Sequence, residues 1–391
     1  VQLSDFTENS PGTLVPIPEG VEAFVPHPLP EALPLDAGTV RALSTAERAL
    51  GQLTGILRTG ARGLNPQLVT SPLLRREAIS SSRIEGTVTT PEQLVLFEID
   101  ADHEEPSSAQ EAQTLEVHNY IRALHHGFAR LREIPVCLRL IRELHEILME
   151  SVRGGDQQPG QFRSIQNFIG ASRDIRAARF VPPPVSEMDR CLREFEAYIN
   201  AASDKLPLLI RLALIHYQFE TIHPFRDGNG RVGRLLLPLL LYSYDKIEGP
   251  VLYVSPYLEQ NRSTYTDLLL RVSQTGDFAP WVRFFLTAVA ESASESVARA
   301  EALFALRDGY YARLHSARSS ALLLKLVDAL FERPSMSIGN AAELLEVTPA
   351  SAVANLRRLQ DEGIVTEVTG RRRDQRYVAR EILSVAHRER P

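Results

Sequence analysis

The chain of 391 residues carries 43 Lys and Arg against 49 Asp and Glu, a formal net charge of −6, and 44% of its residues are hydrophobic. That length accommodates roughly two or three domains with sizeable cores, and the mild acidity gives no general attraction to nucleic acid or to an anionic membrane, so partners of either kind would need a local patch. Cys137 and Cys191 are the only two cysteines, far apart and outside any C-x-x-C pattern, which excludes a disulfide framework or a cysteine zinc site and fits a reducing compartment.

The opening residues, VQLSDFTENSPGTL, show no basic segment leading into an apolar run, so the cytoplasm is the expected location. Residues 1 to about 36 are proline-rich without sustained periodicity and predict an extended arm over the surface. From Ala37 to about 300, apolar residues at helical spacing alternate with short Pro/Gly breaks, as in AQTLEVHNYIRALHHGFARL and VCLRLIRELHEILMESV, and this predicts a mainly α fold. Within it, SPLLRREAISSSRIEGT predicts a helix over about 72–86, with Ser71 as N-cap, Pro72 at the first position and Gly86 as the stop. On that helix Ser81 and Glu85 share a face, one turn apart. Residues 160–185, GQFRSIQNFIGASRDIRAARFVPPPV, predict a β-hairpin flap, since short β-type runs flank a polar turn.

The run LLLPLLLY at Leu235–Tyr242 is far shorter than the ~20 residues of a membrane span and contains Pro238, so a buried, kinked helix is expected there and no membrane partner. The Ala-, Ser- and Glu-rich stretch Glu291–His315 predicts a connecting helix. After Arg318 come helices at SALLLKLVDALFER, GNAAELLEV and PASAVANLRRLQDEGIV, then a strand-like tail TEVTGRRRDQRYVA, the order of a winged helix. Arg371, Arg372, Arg373 and Arg376 form a basic wing tip suited to DNA. The candidate recognition helix carries few basic or amide side chains, however, and Asp361, Glu362 and Glu367 lie close by, so docking on protein or self-association, a homodimer included, stays open beside DNA.

The segment TIHPFRDGNGRVGR, Thr221–Arg234, concentrates the chemistry. Gly228–Gly233 spell G-x-G-x-x-G, but a dinucleotide loop must follow a strand. Here the preceding residues place Leu208, Leu212, Ile215, Phe219 and Ile222 on one helical face, so the segment reads as helix, glycine loop, helix. A loop opening a helix gathers unpaired N–H groups that favour an anion, and Gly228 and Gly230 let a phosphate approach closely. Arg231 and Arg234, three apart, suit forked bonds to phosphate oxygens. Asp227 among such groups reads as a Mg²⁺ ligand shared with the phosphates, and His223 as a base for a nucleophilic hydroxyl.

HPFRDGNGRVGR resembles the signature of the Fic family, H-P-F-x-[DE]-G-N-G-R-x-x-R, at every defined position. The resemblance implies a Fic-type helical core with a β-hairpin flap, the use of ATP with Mg²⁺, and transfer of AMP to a Ser, Thr or Tyr hydroxyl of a target protein. By motif position, His223 is the general base, Phe225 the apolar anchor of the loop, Asp227 the metal ligand, Asn229 a phosphate-orienting residue, and Arg231 and Arg234 the β- and γ-phosphate contacts. Gly230 stands where phosphorylating relatives carry lysine nearby, which favours AMP transfer. The flap at 160–185 is expected to dock the target by β-augmentation. YLEQNRSTYTDLL resembles the adenine-side segment and offers Asn261 and Tyr265 as base contacts, core packing being the alternative for Tyr265.

Ser81–Gly86 resembles the family's inhibitory motif, [ST]-x-x-x-E-[GN], in which Glu85 would pair with Arg234 in the place of the γ-phosphate. The resulting organisation is 1–105 as arm and helical region with the inhibitory helix, 106–300 as Fic core, 301–318 as connecting helix and 319–391 as winged-helix-like domain. An autoinhibited protein adenylyltransferase is expected, against a nucleotide-responsive DNA-binding transcription regulator or an enzyme that also removes AMP. His223 favours catalysis, because a sensor has no use for a base there.

Overall fold

The computed structural model describes residues 3–58, 65–99, 106, 108–152, 158–202, 205–244, 252–316, 321–371 and 373–388. The described residues are mainly helical, and among them no helix is long and apolar enough to cross a membrane. The chain divides into two compact units, Val1–Gly51 with Asn119–Ala293, and Gln52–His118 with Ser294–Pro391. Helices α1 (Ala37–Arg58), α4 (Ala109–Arg130) and α11 (Phe278–Ser316) each contain one of the dividing points.

In the first unit the N-terminal arm is a hairpin and not an extended cover. Strand β1 (Gly12–Pro16) pairs antiparallel with β2 (Glu22–Pro26), Leu14 facing Phe24. Gly20 turns the chain at φ 75°, and Ala23, Phe24 and Val25 are buried. The prolines hid this pairing because those within the strands, Pro16 and Pro26, stand at strand ends, where a missing N–H is tolerated. Two buried helices make the centre, α7 (Leu208–Ile222) and α8 (Asn229–Ser243). From Leu209 to Ile222 every α7 residue but Glu220 is buried, as an all-round apolar helix requires. Helices α6 (Val185–Asn200) and α10 (Arg262–Thr275) and strand β2 pack on α7, while α5 (Leu138–Leu148) packs on α8. Trp281, fully buried on α11, donates from its indole to the Ala213 carbonyl at 2.8 Å. Helix α9 (Ser255–Gln260) leads into α10.

The 160–185 flap departs from expectation. Its pairing is a single antiparallel bridge, Ile169 with Phe180, around a short 3₁₀ turn at Ile175–Ala177 capped by Asp174. Polar side chains and Pro182–Pro184 fix the rest of the segment in place of a ladder, because proline supplies no N–H for one.

The second unit contains α2 (Gln67–Ile84), which begins a turn before the expected start and takes Ser71 and Pro72 into its interior. Gly86 ends it as expected, with φ 93°. Helices α2 and α12 (Ala321–Glu332) pack together, α13 (Ile338–Leu345) packs on α14 (Pro349–Asp361), and α3 (Pro91–Ile99) lies on β3 (Ser335–Ser337). Strands β3, β4 (Thr366–Glu367) and β5 (Arg376–Val378) form an antiparallel sheet in the order β3-β5-β4. Ser337 and Asn340 close a capping box on α13, and Thr348 caps α14 with Pro349 at its first position. The core gathers Leu68, Leu303, Tyr310, Phe331, Leu356 and Tyr377. A final helix, α15 (Arg380–His387), follows β5, beyond the elements the sequence led us to expect, and packs on α2 and α3. The connecting helix is also longer than expected, since α11 runs unbroken from Phe278.

Candidate active site

Helix α7 ends at His223, which adopts a left-handed conformation at φ 50° and ψ 58° while its N–H still closes on the Phe219 carbonyl at 3.0 Å. Such a conformation costs a non-glycine residue about 1–2 kcal/mol, so the surroundings must impose it. The ring Nδ1 lies 3.2 Å from the Glu220 carbonyl. A carbonyl only accepts, so Nδ1 carries the proton and Nε2 keeps the lone pair that a general base needs.

The following loop is braced from behind. Phe225 is fully buried, its ring stacked on the His145 imidazole at 3.7 Å and 5°. Its backbone N–H and C=O are both held by the Asn229 side chain at 2.8 Å. Arg163 Nε donates to the His223 carbonyl at 3.0 Å, and Asn167 Nδ2 donates to the Phe225 carbonyl at 2.9 Å. His145 accepts the Gly160 N–H at Nδ1, 3.0 Å, so its Nε2 carries the proton donated to the Asp227 carbonyl at 3.1 Å. Burial lowers the His145 pKa from 6.5 to about 4 and keeps the ring neutral. With its carbonyls tied back, the loop delivers the chain to Gly228, which at φ 77° precedes α8 and accepts the Val232 N–H. A side chain there would be strained by that φ and would meet Met149 Sδ at 3.1 Å.

The first turn of a helix lies outside its own hydrogen-bond ladder, and its N-terminal dipole is positive. Arg231 and Arg234 are 3% and 1% exposed on the first turns of α8. Arg231 stands 3.9 Å from Asp227 Oδ1, whose side chain is 56% exposed at the loop tip and accepts the Gly228 N–H at 2.6 Å. Two buried cations beside a positive helix end are stabilised by an anion, and a carboxylate at the rim suits a cation shared with it. Among the described residues no three His, Cys, Asp or Glu converge as a self-sufficient metal cage; Mg²⁺, which commonly takes one or two carboxylates and completes its shell with phosphates and water, does not need one.

Structure thus brings His223, Asp227, Gly228, Gly230, Arg231 and Arg234 onto one loop and helix start. Asn229 is buried, and its side-chain amide accepts from the Phe225 N–H and donates to the Phe225 carbonyl. Tyr265 is 3% exposed, with its hydroxyl 2.7 Å from His216 Nε2 and its ring beside Trp281. Asn261, partly exposed between α9 and α10, donates to the Tyr257 carbonyl at 2.9 Å. In the second unit Ser81 is fully buried within α2, while Glu85 caps that helix and is exposed. Arg371 and Arg373 are exposed and Arg376 opens β5; Arg372 lies outside the described residues. Sequence reasoning missed His145, Arg163 and Asn167. The signal for His145 was a polar residue on the apolar face of Ile141, Leu144 and Leu148.

The Fic/DOC family model matches residues 135–241, and the model of the Fic/DOC family N-terminal region matches residues 40–129. The chain is 29% identical over 188 residues to the protein adenylyltransferase Fic of Drosophila grimshawi and 29% over 187 residues to that of Culex quinquefasciatus, in each case across 46% of this chain. It spans about a third of the length of these curated relatives, 35% and 34%. In fold it is similar to a Fic family protein from Desulfovibrio desulfuricans G20, with a TM-score of 0.56 and 21% identity over 90% of this chain and 98% of the other. A Fic domain containing signaling protein from Bacteroides thetaiotaomicron VPI-5482 aligns with a TM-score of 0.51 and 19% identity, over 67% of this chain and 96% of that one.

Proposed function

The chain belongs to the Fic/DOC family, and we propose that it is a protein adenylyltransferase, moving AMP from ATP to a Ser, Thr or Tyr hydroxyl of a target protein. The observation that carries this reading is His223, whose Nδ1 is anchored on the Glu220 carbonyl beside a helix start that buries Arg231 and Arg234. In the reaction Nε2 takes the hydroxyl proton, the oxygen bonds to the α-phosphorus, and the bond from that phosphorus to the bridging oxygen breaks so that pyrophosphate leaves. Arg231, Arg234 and the N–H groups at the start of α8 hold the β- and γ-phosphates against developing charge. Asp227 would hold Mg²⁺, which supplies further neutralisation when bound. The target would lie along the 160–185 segment, where Ile165 is 53% exposed.

Two further parts of the reading rest on motif and order. Glu85, exposed at the end of α2, serves as the inhibitory carboxylate of the Ser81–Gly86 motif. The C-terminal order of helix, strand, two helices and hairpin fits a winged helix that recruits a partner, DNA included. The test offers ATP labelled at the α- or the γ-phosphate to cell lysate with the unmodified protein and with Glu85→Gly. Label from the α-position should enter protein, several-fold faster with the variant. Transfer of the γ-label would make the protein a kinase, and equal rates would remove Glu85 from regulation.

A further inference from the structure

The His223 carbonyl accepts two side-chain hydrogen bonds, from Arg163 Nε at 3.0 Å and from Asn167 Nδ2 at 3.3 Å. Both donors come from the segment that follows Gly160, about sixty residues earlier in the chain. The backbone is tied there as well, since the Arg163 N–H donates to the Pro224 carbonyl at 2.8 Å. Arg163 is 1% exposed, and its remaining side-chain acceptors are also backbone carbonyls, Ile165 at 3.4 Å and Pro183 at 2.5 Å. Burial lowers its pKa from 12.5 to about 10. A guanidinium sunk among carbonyls is a costly way to join two loops unless its fixed fork is needed where it stands. What stands there is the strained residue of the loop, left-handed His223, whose ring direction follows from its backbone angles.

Resting on the adenylyltransferase reading, we propose that Arg163 and Asn167 are positioning residues that hold His223 in its left-handed conformation and so fix its Nδ1 on Glu220 and its Nε2 as the base. Neither touches the reacting atoms. Arg163 fixes the peptide after His223, and Asn167 bridges from that carbonyl to the Phe225 carbonyl, so together they span the turn that points the imidazole. Gln166 reinforces their footing by donating to the Pro182 carbonyl at 3.0 Å, next to the Pro183 carbonyl that Arg163 holds. Removing either donor lets the loop relax towards unstrained angles and lets the ring leave its anchor, while the helix start that receives the phosphates remains.

The experiment places Asn167→Ala, Arg163→Gln and Arg163→Lys in the full chain carrying Glu85→Gly, and measures AMP transfer, ATP affinity and the imidazole nitrogen shifts of His223. We expect kcat to fall about 30-fold for Asn167→Ala and about 100-fold for Arg163→Gln, ATP affinity to stay within about threefold, and Arg163→Lys to recover part of the loss. The His223 signals should pass from a pure Nδ1–H tautomer to a mixture in Asn167→Ala and Arg163→Gln. The nitrogen shifts need no activity, and Asn167→Ala serves if the arginine variants do not fold. The proposal is overturned if the tautomer stays pure and kcat stays within twofold in Asn167→Ala. If instead no label from the α-phosphate of ATP reaches protein with the Glu85→Gly parent, the adenylyltransferase reading fails, and the tautomer measurement, which needs no activity, still judges the positioning.

Discussion

The loop between α7 and α8 and the helix α2 that carries Glu85 are both fixed by polar contacts, but of opposite kinds. The loop is held by Asn229, Asn167, a neutral His145 and a guanidinium bonded only to carbonyls. Helix α2 is held by ion pairs: Arg75 with Glu98 at 2.8 Å, and Arg76 with Glu295 through two bonds of 2.9 and 3.0 Å. Glu295 is shared with Arg299 at 2.6 Å, and Arg299 in turn donates to the Val385 and Ala386 carbonyls at the end of α15. Hydrogen bonds to buried carbonyls depend on no partner charge, whereas each α2 cation depends on a carboxylate, and with side chains 9–17% exposed these pairs are screened little by salt. The loop is therefore held by contacts with no partner charge to lose, whereas α2 is held by ion pairs that the substitution of one carboxylate breaks.

Acid should weaken the hold on the loop and produce a large stability effect. An unfolded imidazole takes its proton below about 6.5, whereas His145 in the folded chain resists until about 4. Its contribution is complete above the upper value and is lost as pH falls through that window, by about 3 kcal/mol at pH 4. Urea unfolding of the first unit at pH 7 and pH 4 should show the loss, and His145→Gln should flatten that part of the profile. An unchanged slope in the variant would mean that the imidazole is protonated in place.

Glu295→Ala should sharpen the other side of the comparison. It leaves the Arg76 and Arg299 side chains, 13% and 8% exposed, without the carboxylate they share, and should cost about 3 kcal/mol in the second unit. Hydrogen exchange of residues 67–84 should speed up while α8 stays protected. On the proposed reading AMP transfer by the chain with native Glu85 should rise a few-fold. A rise in exchange without a rise in transfer would separate the ion pairs from inhibition.

Much of this was legible in sequence where the signal is local. Helix α7 has the bounds that its apolar spacing suggested, and Gly228 opens α8 where a glycine loop should. Gly86 stops α2 as predicted because a left-handed turn favours glycine. What stayed hidden acts across distance. Arg163 and Asn167 bind carbonyls 56 to 60 residues away, and a carbonyl leaves no mark on the sequence that would announce its donor. Tyr265 and Asn229 were polar residues beside a motif, and only the packed structure shows that their hydrogen bonds are spent on His216 and on Phe225. The hairpin of the N-terminal arm was missed because five-residue strands ending in proline have the composition of a linker.

The most direct test is AMP transfer from α-labelled ATP by Glu85→Gly and by the same chain carrying His223→Ala as well. Loss of a general base predicts a fall of about 10³-fold or more in label transferred, with ATP binding retained. Equal label on protein from both variants would contradict a reaction that runs through the His223 imidazole.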